Sequence, residues 1–481
     1  MFLSRHPVPA LLVLAAGLAA GEAPVVAPRG GGSTVGDGLA SLSEFGAGRA
    51  AMGAGRQVIV QGQLDLDVLQ HNNYTDSSKD LSDHRGYGLM RAELGLKVKL
   101  DERASVVIGF GYRADLGDYG TTNQHPDKPS PGTDESRIAS DQAQVVLKDA
   151  YVNLKEFLGF EELGVIAGRM PVSWNIPSTD RGAFLFDSRA DDPAIGSWDG
   201  TRISYSGFDV LVVSPWVYRL PEASTLFGLT LDWKPATVSG EKVFVTVSAT
   251  EQRDPVVPGL STAGGSRPQN LRTYGGAIDW SLGETRLWIE GAAQQGDAGG
   301  GDFGGYGGEA GLDWQFTQYG KGRFQVIGTM MTGDDPDTTD TFEGFVNTWE
   351  SVSDTLIVES EKYGELSRLV VGDLNSVKVR WGLGFDERDR VRLDLTGAYY
   401  RLAKAVDNGT SRDFGTEIDA ALRWQYTYNA QIRFFAGVLK PGDGLAEAQV
   451  NAAAKAAPTA PPLEAGTDLI WLGGINLNVS F

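Results

Sequence analysis

The sequence predicts an all-β fold: a transmembrane antiparallel up-and-down β-barrel of about eighteen strands, with short periplasmic turns and long extracellular loops. Three observations predict it: the C-terminal strand, a recurring alternation of apolar and polar residues, and the order of short and long connections. In the last strand every second residue from Leu469 to Phe481 is apolar, and the residues between them are largely small or polar. A strand with one apolar and one polar face that crosses roughly 25 Å of hydrocarbon is the unit of an outer-membrane barrel.

The two ends of the chain predict export to the bacterial outer membrane. Residues 1–23 have the layout of a secretory signal peptide, with a basic start, an apolar run at 8–20 and small residues at the end. Residues 24–56 are rich in Gly and Ala without a sustained period, which predicts a periplasmic segment. The barrel is predicted over residues 57–481. Its terminal Phe481 resembles the signal by which the outer-membrane assembly machinery recognises its clients.

Composition excludes several classes of protein. After the signal peptide no stretch is apolar for about 18 residues, which excludes a helical membrane protein. The formal net charge of -20 argues against nucleic acid as a partner, because phosphate binding needs clustered Lys and Arg. The chain has no Cys, so neither disulfides nor thiolate-bound cofactors are expected. No cofactor and no metal site is predicted.

The alternation begins at Val58, with apolar residues on one face and Gln61, Gln63, Asp65 and Asp67 on the other. Because a Lys or Arg at the bilayer midplane costs roughly 2–4 kcal/mol, charged faces of this kind are expected to line a water-filled lumen. After two strands that start near Val58 and Arg91, the pattern predicts strands near 104–116, 142–156, 161–170, 199–206, 208–216, 224–234, 241–251, 270–281, 284–295, 304–316, 321–333, 374–386, 389–402, 412–427, 430–440 and 469–481.

The connections between these strands alternate in length. Short turns of a few residues connect the strands at one end of the barrel, and long loops connect them at the other end. An even number of strands with this order places both chain ends in the periplasm. The predicted long extracellular loops are 117–141, 171–198, 252–269, 334–373 and 441–466.

Several segments resemble, in order, the signatures of the alginate export porin family. They are Leu147 to Leu154, Ala167 to Arg169, Trp198 to Ile203, Tyr399 to Ala403, Phe414 to Asp419 and Pro441 to Asp443. The resemblance implies a monomeric eighteen-stranded pore, one that in the best-known members passes an anionic polysaccharide out of the cell. This chain departs from those members at Tyr428-Asn429, where a tight turn stands in place of a long periplasmic loop that helps to gate the pore.

Strand parity predicts the side chains of the lumen and hence a candidate substrate path. Two interpretations are open: a wall laced with salt bridges around a nearly neutral pore, or a series of arginine forks that binds successive carboxylates of an anionic chain. Arginine suits the second role because its fork accepts a carboxylate with two bonds and keeps its proton. The predicted path comprises Arg91, Arg113, Arg169, Arg202, Arg286, Arg323, Arg380, Arg392, Glu417, Asp419, Arg423 and Arg433.

Two long loops and the aromatic residues leave further alternatives. The segment Pro171 to Ser197 is expected either to fold into the pore or to remain at the surface. The acidic loop 334–373, with Asp334, Asp335, Asp337 and Asp340, is either solvated or a calcium site. Most aromatic residues near strand ends have outward parity and predict a girdle at the headgroups, whereas Trp288 and Tyr400 have inward parity and are candidates for sugar contact.

The function predicted from the sequence is therefore an outer-membrane channel for an anionic polysaccharide or a related solute, with outer-membrane lipid as its surroundings. The alternative is a general or carbohydrate-preferring diffusion porin. A barrel enzyme built on His71 and His84, or an adhesin with a closed lumen, is a weaker alternative, since no nucleophilic Ser lies in a recognisable frame. No enzymatic activity is predicted.

Overall fold

The computed structural model describes most of the region that the sequence assigns to the barrel. The described residues are 48–52, 56–72, 85–116, 144–174, 184–188, 196–220, 224–235, 241–255, 268–298, 301–316, 321–335, 338, 340–347, 354–360, 363, 366–370, 372–386, 388–407, 409–456 and 466–481. The predicted signal peptide, most of the predicted periplasmic segment and the loop 117–141 lie outside them, so these remain predictions. No helix in the described ranges is long and apolar enough to span a bilayer.

Twenty-one of the described strands form one hydrogen-bonded sheet, in which Gly48–Met52, Asp302–Phe303 and Thr341–Phe342 are short additions. Ser173–Trp174 and Phe186–Asp187 pair in a separate two-stranded sheet. The other eighteen strands of the larger sheet pair antiparallel with their chain neighbours and close into a barrel, as predicted. Numbered in order, β1 to β18 are Arg56–Asn72, Arg85–Lys99, Ala104–Leu116, Gln144–Leu154, Leu163–Met170, Trp198–Phe208, Leu211–Arg219, Thr225–Trp233, Glu241–Arg253, Asn270–Leu282, Thr285–Asp297, Tyr306–Phe316, Gly322–Met331, Leu374–Gly384, Val391–Leu402, Asp413–Thr427, Ala430–Pro441 and Ile470–Ser480.

The polarity pattern explains which face of each strand meets lipid. On β1, Gln61 and Asp67 are buried inside the barrel, whereas Val68, the residue after Asp67, is 58% exposed on the outside. The same alternation exposes Trp233, Trp280, Trp314, Trp424 and Tyr426 on the outer surface, which agrees with the predicted aromatic girdle. Trp288 and Tyr400 are buried inside.

The barrel closes where β18 pairs with β1, in a register that joins Ser480 to Gln63. The last residue continues this ladder through two backbone hydrogen bonds. The N–H of Gly62 donates to the carbonyl oxygen of Phe481 at 2.8 Å, and the N–H of Phe481 donates to the carbonyl oxygen of Gly62 at 2.9 Å. A Cβ added at Gly62 would collide with the Phe481 ring. The aromatic ring at the chain end therefore lies directly over a glycine of the first strand.

Replacing Gly62 by Leu is expected to reduce the yield of folded barrel in the outer membrane, because the new side chain displaces the Phe481 ring from the closing seam. The measurement is the fraction of protein that resists unfolding in an unheated gel and is protected from protease in outer-membrane fractions. Gly397 on β15 is the matched control, since a Cβ there meets no atom within 4 Å. An equal yield for Gly62→Leu and Gly397→Leu would contradict the role of the contact between Gly62 and the Phe481 ring in closing the barrel.

Two connections at the extracellular end turn inward and fill part of the lumen. From the β5–β6 loop (171–197), Trp174, Phe184 and Leu185 are buried among inward residues of the wall. From the β13–β14 loop (332–373), residues 356–358 are buried against the opposite wall. The β17–β18 connection, predicted only as a loop, contains helix α1, Asp443–Ala456, whose alanine-rich sequence has high helix propensity.

Candidate functional site: the barrel lumen

Three arginines lie side by side across consecutive strands of the lumen wall. Arg392 on β15 is paired in register with Arg423 on β16, and Arg423 with Arg433 on β17. Asn476 on β18 follows in the same register and donates to Asp65 and Asp67 of β1. We call Arg392, Arg423 and Arg433 the arginine row.

The members of the arginine row differ in how far their charge is neutralised. Arg392 contacts Asp394 at 2.8 Å and Asp389 at 3.5 Å, and Arg423 contacts the same Asp389 at 3.4 Å. Arg433 lies over the Phe435 ring and forms no ion pair or hydrogen bond with any residue that the structure describes. The row therefore presents more positive charge to the lumen than its own carboxylates neutralise.

A second pair of arginines continues this basic surface beyond the seam. Arg91 on β2 is paired in register with Asp65 of β1 and with Arg113 of β3. The Nε of Arg91 is buried without a hydrogen-bond partner among the described residues. The wall from β15 through β18 to β3 thus carries five arginines of the predicted path.

The remaining inward arginines are held by specific partners, most of which are carboxylates. Arg286 contacts Asp279 at 2.7 Å, and Arg323 holds both oxygens of Asp313, the shortest contact being 2.8 Å. Arg202 donates to the Ser214 hydroxyl at 3.3 Å. On this side of the barrel the salt-bridged wall, the first of the two interpretations left open by the sequence, describes the geometry.

Arg169 does not lie in the lumen, and this corrects the expectation from the sequence. It is paired in register with Ala150 and Asp199, whereas its neighbour Met170 is buried inside the barrel against Trp198. Its guanidinium binds Asp199 with two bonds of 2.9 and 2.7 Å on the outer face. Parity was misleading here because an arginine close to a strand end reaches the headgroup region, where facing lipid costs only about 0–1 kcal/mol.

Glu417 and Asp419 hold the inward part of the β13–β14 loop by its backbone. Glu417 is completely buried and accepts hydrogen bonds from the N–H groups of Ile357 at 2.6 Å and Val358 at 3.1 Å. Asp419 accepts from the N–H of Leu356 at 3.0 Å. These two path residues therefore bind a loop of the same chain.

Side chains of the same loop reach three other strands, β14, β1 and β17. Lys378 on β14 is almost completely buried between Asp354 at 2.9 Å and Glu359 at 2.8 Å, and Asp354 also contacts Arg380. The Tyr363 hydroxyl donates to Asp67 at 2.9 Å, and its ring stacks on Phe435 at 4.7 Å. We call the described residues of this segment, 354–360 and 363, the plug, as they lie in the lumen on the extracellular side of the arginine row.

Burial and the neighbouring charge of Asp67 raise the pKa of Tyr363 well above its ordinary value. The phenol therefore stays protonated and remains a donor to Asp67.

The second inward loop is fixed to the wall and to the first loop. The Ser197 hydroxyl donates to Asp149 of β4 at 2.7 Å, and the Ser188 hydroxyl donates to the carbonyl of Gly196 at 2.7 Å. The rings of Phe184 and Phe345 stack at 5.5 Å and join the β5–β6 loop to the β13–β14 loop. Sequence reasoning left open whether either loop enters the pore, and the described parts of both do.

The acidic residues proposed as a calcium site have other partners. Asp334 accepts from the N–H of Glu343 at 3.0 Å, and Asp335 binds Lys404 at 2.7 Å. Asp337 lies outside the described residues. Among the residues that the structure describes, no group of three or more acidic or histidine side chains is placed to hold a metal.

At the base of the plug loop, burial raises the pKa of Asp373 to about 7, a rise that backbone N–H donors such as that of Lys404 at 2.8 Å partly oppose. Because the pKa exceeds 3.8, the ordinary value for Asp, the folded loop base binds a proton that the unfolded chain does not, and it loses stability as the pH rises through about 7. We expect amide exchange at 403–404, corrected for the intrinsic pH dependence, to be faster at pH 8 than at pH 6. An Asp373→Asn variant that keeps this difference would contradict the assignment.

The residues that sequence reasoning missed come from the plug: Asp354, Glu359 and Tyr363. No periodic signal marks them, because the plug is irregular and binds strands far away in the chain. The one available signal was Lys378, an inward lysine that required a buried carboxylate partner.

A protein-family model described as alginate export matches residues 103–457. The chain belongs to the alginate export family. The family and the closed barrel are those of outer-membrane porins and channels, which places this member in the bacterial outer membrane. It keeps the two-residue turn Tyr428-Asn429 between β16 and β17 that the sequence predicts.

Solved structures of Pseudomonas aeruginosa porins share the fold of this family member. OpdK with vanillate is 11% identical, with 88% of this chain and 99% of that chain covered and a TM-score of 0.52. OccK11 (OpdR) is 11% identical over 88% and 96%, with a TM-score of 0.51, and OccD3 (OpdP) is 10% identical over 91% and 93%, also with a TM-score of 0.51. At these identities the likeness shows the fold alone. No curated protein matches the sequence of this family member.

Proposed function

We propose that this protein is a selective channel for carboxylate-bearing carbohydrate, an acidic oligosaccharide or polysaccharide of the alginate type. The observation that carries the proposal is the arginine row, in which Arg433 forms neither an ion pair nor a hydrogen bond within the described structure and meets the charge of Asp419 only at longer range. Arginine forks bind carboxylates with two parallel bonds, and the row offers several forks in succession. Such sites in series attract an anion and release it, as conduction requires.

The position of the row relative to the plug supports this assignment. Along β16, Arg423 lies four residues from Asp419 on the periplasmic side, which corresponds to about 13 Å of strand. An anion that passes the plug meets the row next on the same wall. The row therefore selects by charge, and the plug restricts by size.

A second candidate substrate is a small carboxylate rather than a polymer. The inward loops favour it, because they occupy space that a polymer needs, and they are joined through Phe184 and Phe345. One protein of the same fold was solved with vanillate, a small aromatic carboxylate. We propose that the protein acts as a monomer, since the closed barrel encloses a complete lumen.

The deciding experiment is single-channel conductance of the refolded full chain in a planar bilayer under a salt gradient, with uronate oligomers, monomeric uronate, vanillate and neutral oligosaccharides added in turn. Anion preference with block by uronate oligomers supports the carbohydrate channel. Block by monomeric uronate or vanillate alone supports the second candidate. A large unselective conductance that none of them blocks contradicts both.

A further inference from the structure

Charged side chains form a continuous row on the lipid-facing surface, at the extracellular ends of β5 to β9. The strand register joins Arg169 to Asp199, Asp199 to Arg219, Arg219 to Thr225 and Thr225 to Arg253. Residues next to them in the chain point inward and are buried: Met170, Trp198, Tyr218, Leu226 and Gln252. Because successive residues of a strand point to opposite faces, the row points outward.

The row carries more positive than negative charge. Asp199 lies between Arg169 and Arg219, and Glu251 contacts Arg253 at 3.4 Å and Arg272 at 3.2 Å. Each carboxylate thus orients two arginines and neutralises one. On β5 to β10, four arginines and two carboxylates leave a surplus of about two positive charges, and Asp297 on β11 is the next acid of the row, two strand spacings beyond Arg253.

The apolar surface beneath the row sets its depth in the membrane. On the same strands, toward the barrel middle, the outward side chains of Ile203, Val217, Leu229 and Tyr274 are exposed, as expected for contact with hydrocarbon. The arginines therefore lie where the hydrocarbon of the outer leaflet ends and the headgroups begin.

We propose that this outer row binds the phosphate groups of a phosphorylated glycolipid in the outer leaflet, with the acyl chains of the lipid on the apolar surface below. Arginine binds phosphate oxygens through two parallel bonds, and these bonds are stronger where water is partly excluded. Two strand spacings, about 10 Å, separate Arg169 from Arg219 and Arg219 from Arg253, so separate forks are available to separate phosphates. The site is independent of the proposed passage of solute, as none of its side chains lies in the lumen.

The test uses the refolded full chain in nanodiscs of zwitterionic lipid, titrated with bisphosphorylated lipid A and with the same lipid after enzymatic removal of its phosphates. Bound lipid per barrel is read by native mass spectrometry. We expect Arg169→Gln/Arg219→Gln/Arg253→Gln to weaken binding of the phosphorylated lipid by roughly tenfold or more, as expected for the loss of at least one strong contact. Its single-channel conductance is expected to equal that of the wild type.

The matched control is Arg401→Gln/Lys440→Gln, which removes two exposed cations from extracellular strand ends elsewhere on the outer surface. This control is expected to retain wild-type binding. Equal binding of the phosphorylated and dephosphorylated lipids, full binding by the triple variant, or an equal loss in the control would each overturn the proposal.

Discussion

Replacing Glu417 by Gln and Asp419 by Ala is expected to raise the unitary conductance roughly twofold or more, because the plug loses acceptors of its backbone N–H groups. Ala removes the acceptor of the Leu356 N–H, and the Gln amide keeps one oxygen for Ile357 and Val358 where Glu417 has two. A buried N–H that loses a charged acceptor costs about 1–3 kcal/mol, so the plugged arrangement is destabilised by several kcal/mol. A change of that size is enough to move the loop from mostly inserted to mostly released. The measurement is single-channel recording of the refolded variant.

Two controls separate release of the plug from general damage to the barrel. Asp232→Asn alters another buried lumen carboxylate, one that accepts from Thr246 at 2.8 Å within the wall, and its conductance is expected to match the wild type. A disulfide offers a second control, because a Cβ at Gly437 would lie 3.4 Å from the Cβ of Leu356 and the chain has no cysteine of its own. The Asp419→Ala change also removes the carboxylate that this Cβ would meet.

In the Glu417→Gln/Asp419→Ala background, oxidation of Cys introduced at positions 356 and 437 is expected to return the conductance to the wild-type level, and reduction to raise it again. A variant whose conductance equals that of the wild type before and after oxidation shows that these carboxylates do not control access to the lumen.

The strands of the barrel were predictable because their environment imposes a period of two. Lipid on one side and water on the other leave few alternatives for a strand such as Ala430–Pro441, in which exposed Phe434 and Val438 alternate with buried Phe435 and Leu439. The lengths of the connections added the direction of each strand. Both signals are local in sequence, which is why the number, order and approximate bounds of the strands followed the prediction.

Two local features limit strand parity as a guide to the lumen, and the second of them applies to Arg169. The register of β3 with β4 shifts between Gly109 and Phe110, so the consecutive residues Lys148 and Asp149 both face the lumen side. The assumption that every charged residue faces water inside the barrel also fails at strand ends, since headgroups supply water and anions there. Parity therefore predicts which side chains face the lumen in the middle of a spanning strand, but it is unreliable for the last two residues at a strand end.

The plug was beyond sequence reasoning because its contacts are distant in the chain. The bond from the N–H of Ile357 to Glu417 spans 60 residues, and the bond from Tyr363 to Asp67 spans 296. An acidic, irregular loop has the same composition whether it is solvated or inserted. Only the positions of Lys378, Glu417 and Asp419 on the closed wall decide that this loop is inside.

Replacing Arg423 and Arg433 by Glu is expected to reverse the ion preference of the channel from anions to cations. Each replacement exchanges a positive for a negative charge at adjacent positions of the lumen wall, and Asp389 then loses its contact with Arg423. Lumen charges act at close range on a passing ion, so the reversal potential under a salt gradient is expected to change sign. Block by uronate oligomers is expected to weaken roughly tenfold or more, since at least one charge-assisted contact is lost.

The matched control makes the same change of charge outside the lumen, at Arg401→Glu and Lys440→Glu, both of which are exposed on outward-facing positions. This control is expected to keep the wild-type reversal potential, because charges on the outer surface are separated from the lumen by the barrel wall and screened by salt beyond about 10 Å. If the lumen variant also keeps the wild-type reversal potential, ions do not pass along the arginine row, and the neutral, salt-bridged wall described for β10 to β13 applies to the whole pore. If the ion selectivity of the lumen variant reverses while block by uronate oligomers is unchanged, the arginine row determines the electrostatic potential in the lumen and the carbohydrate binds elsewhere.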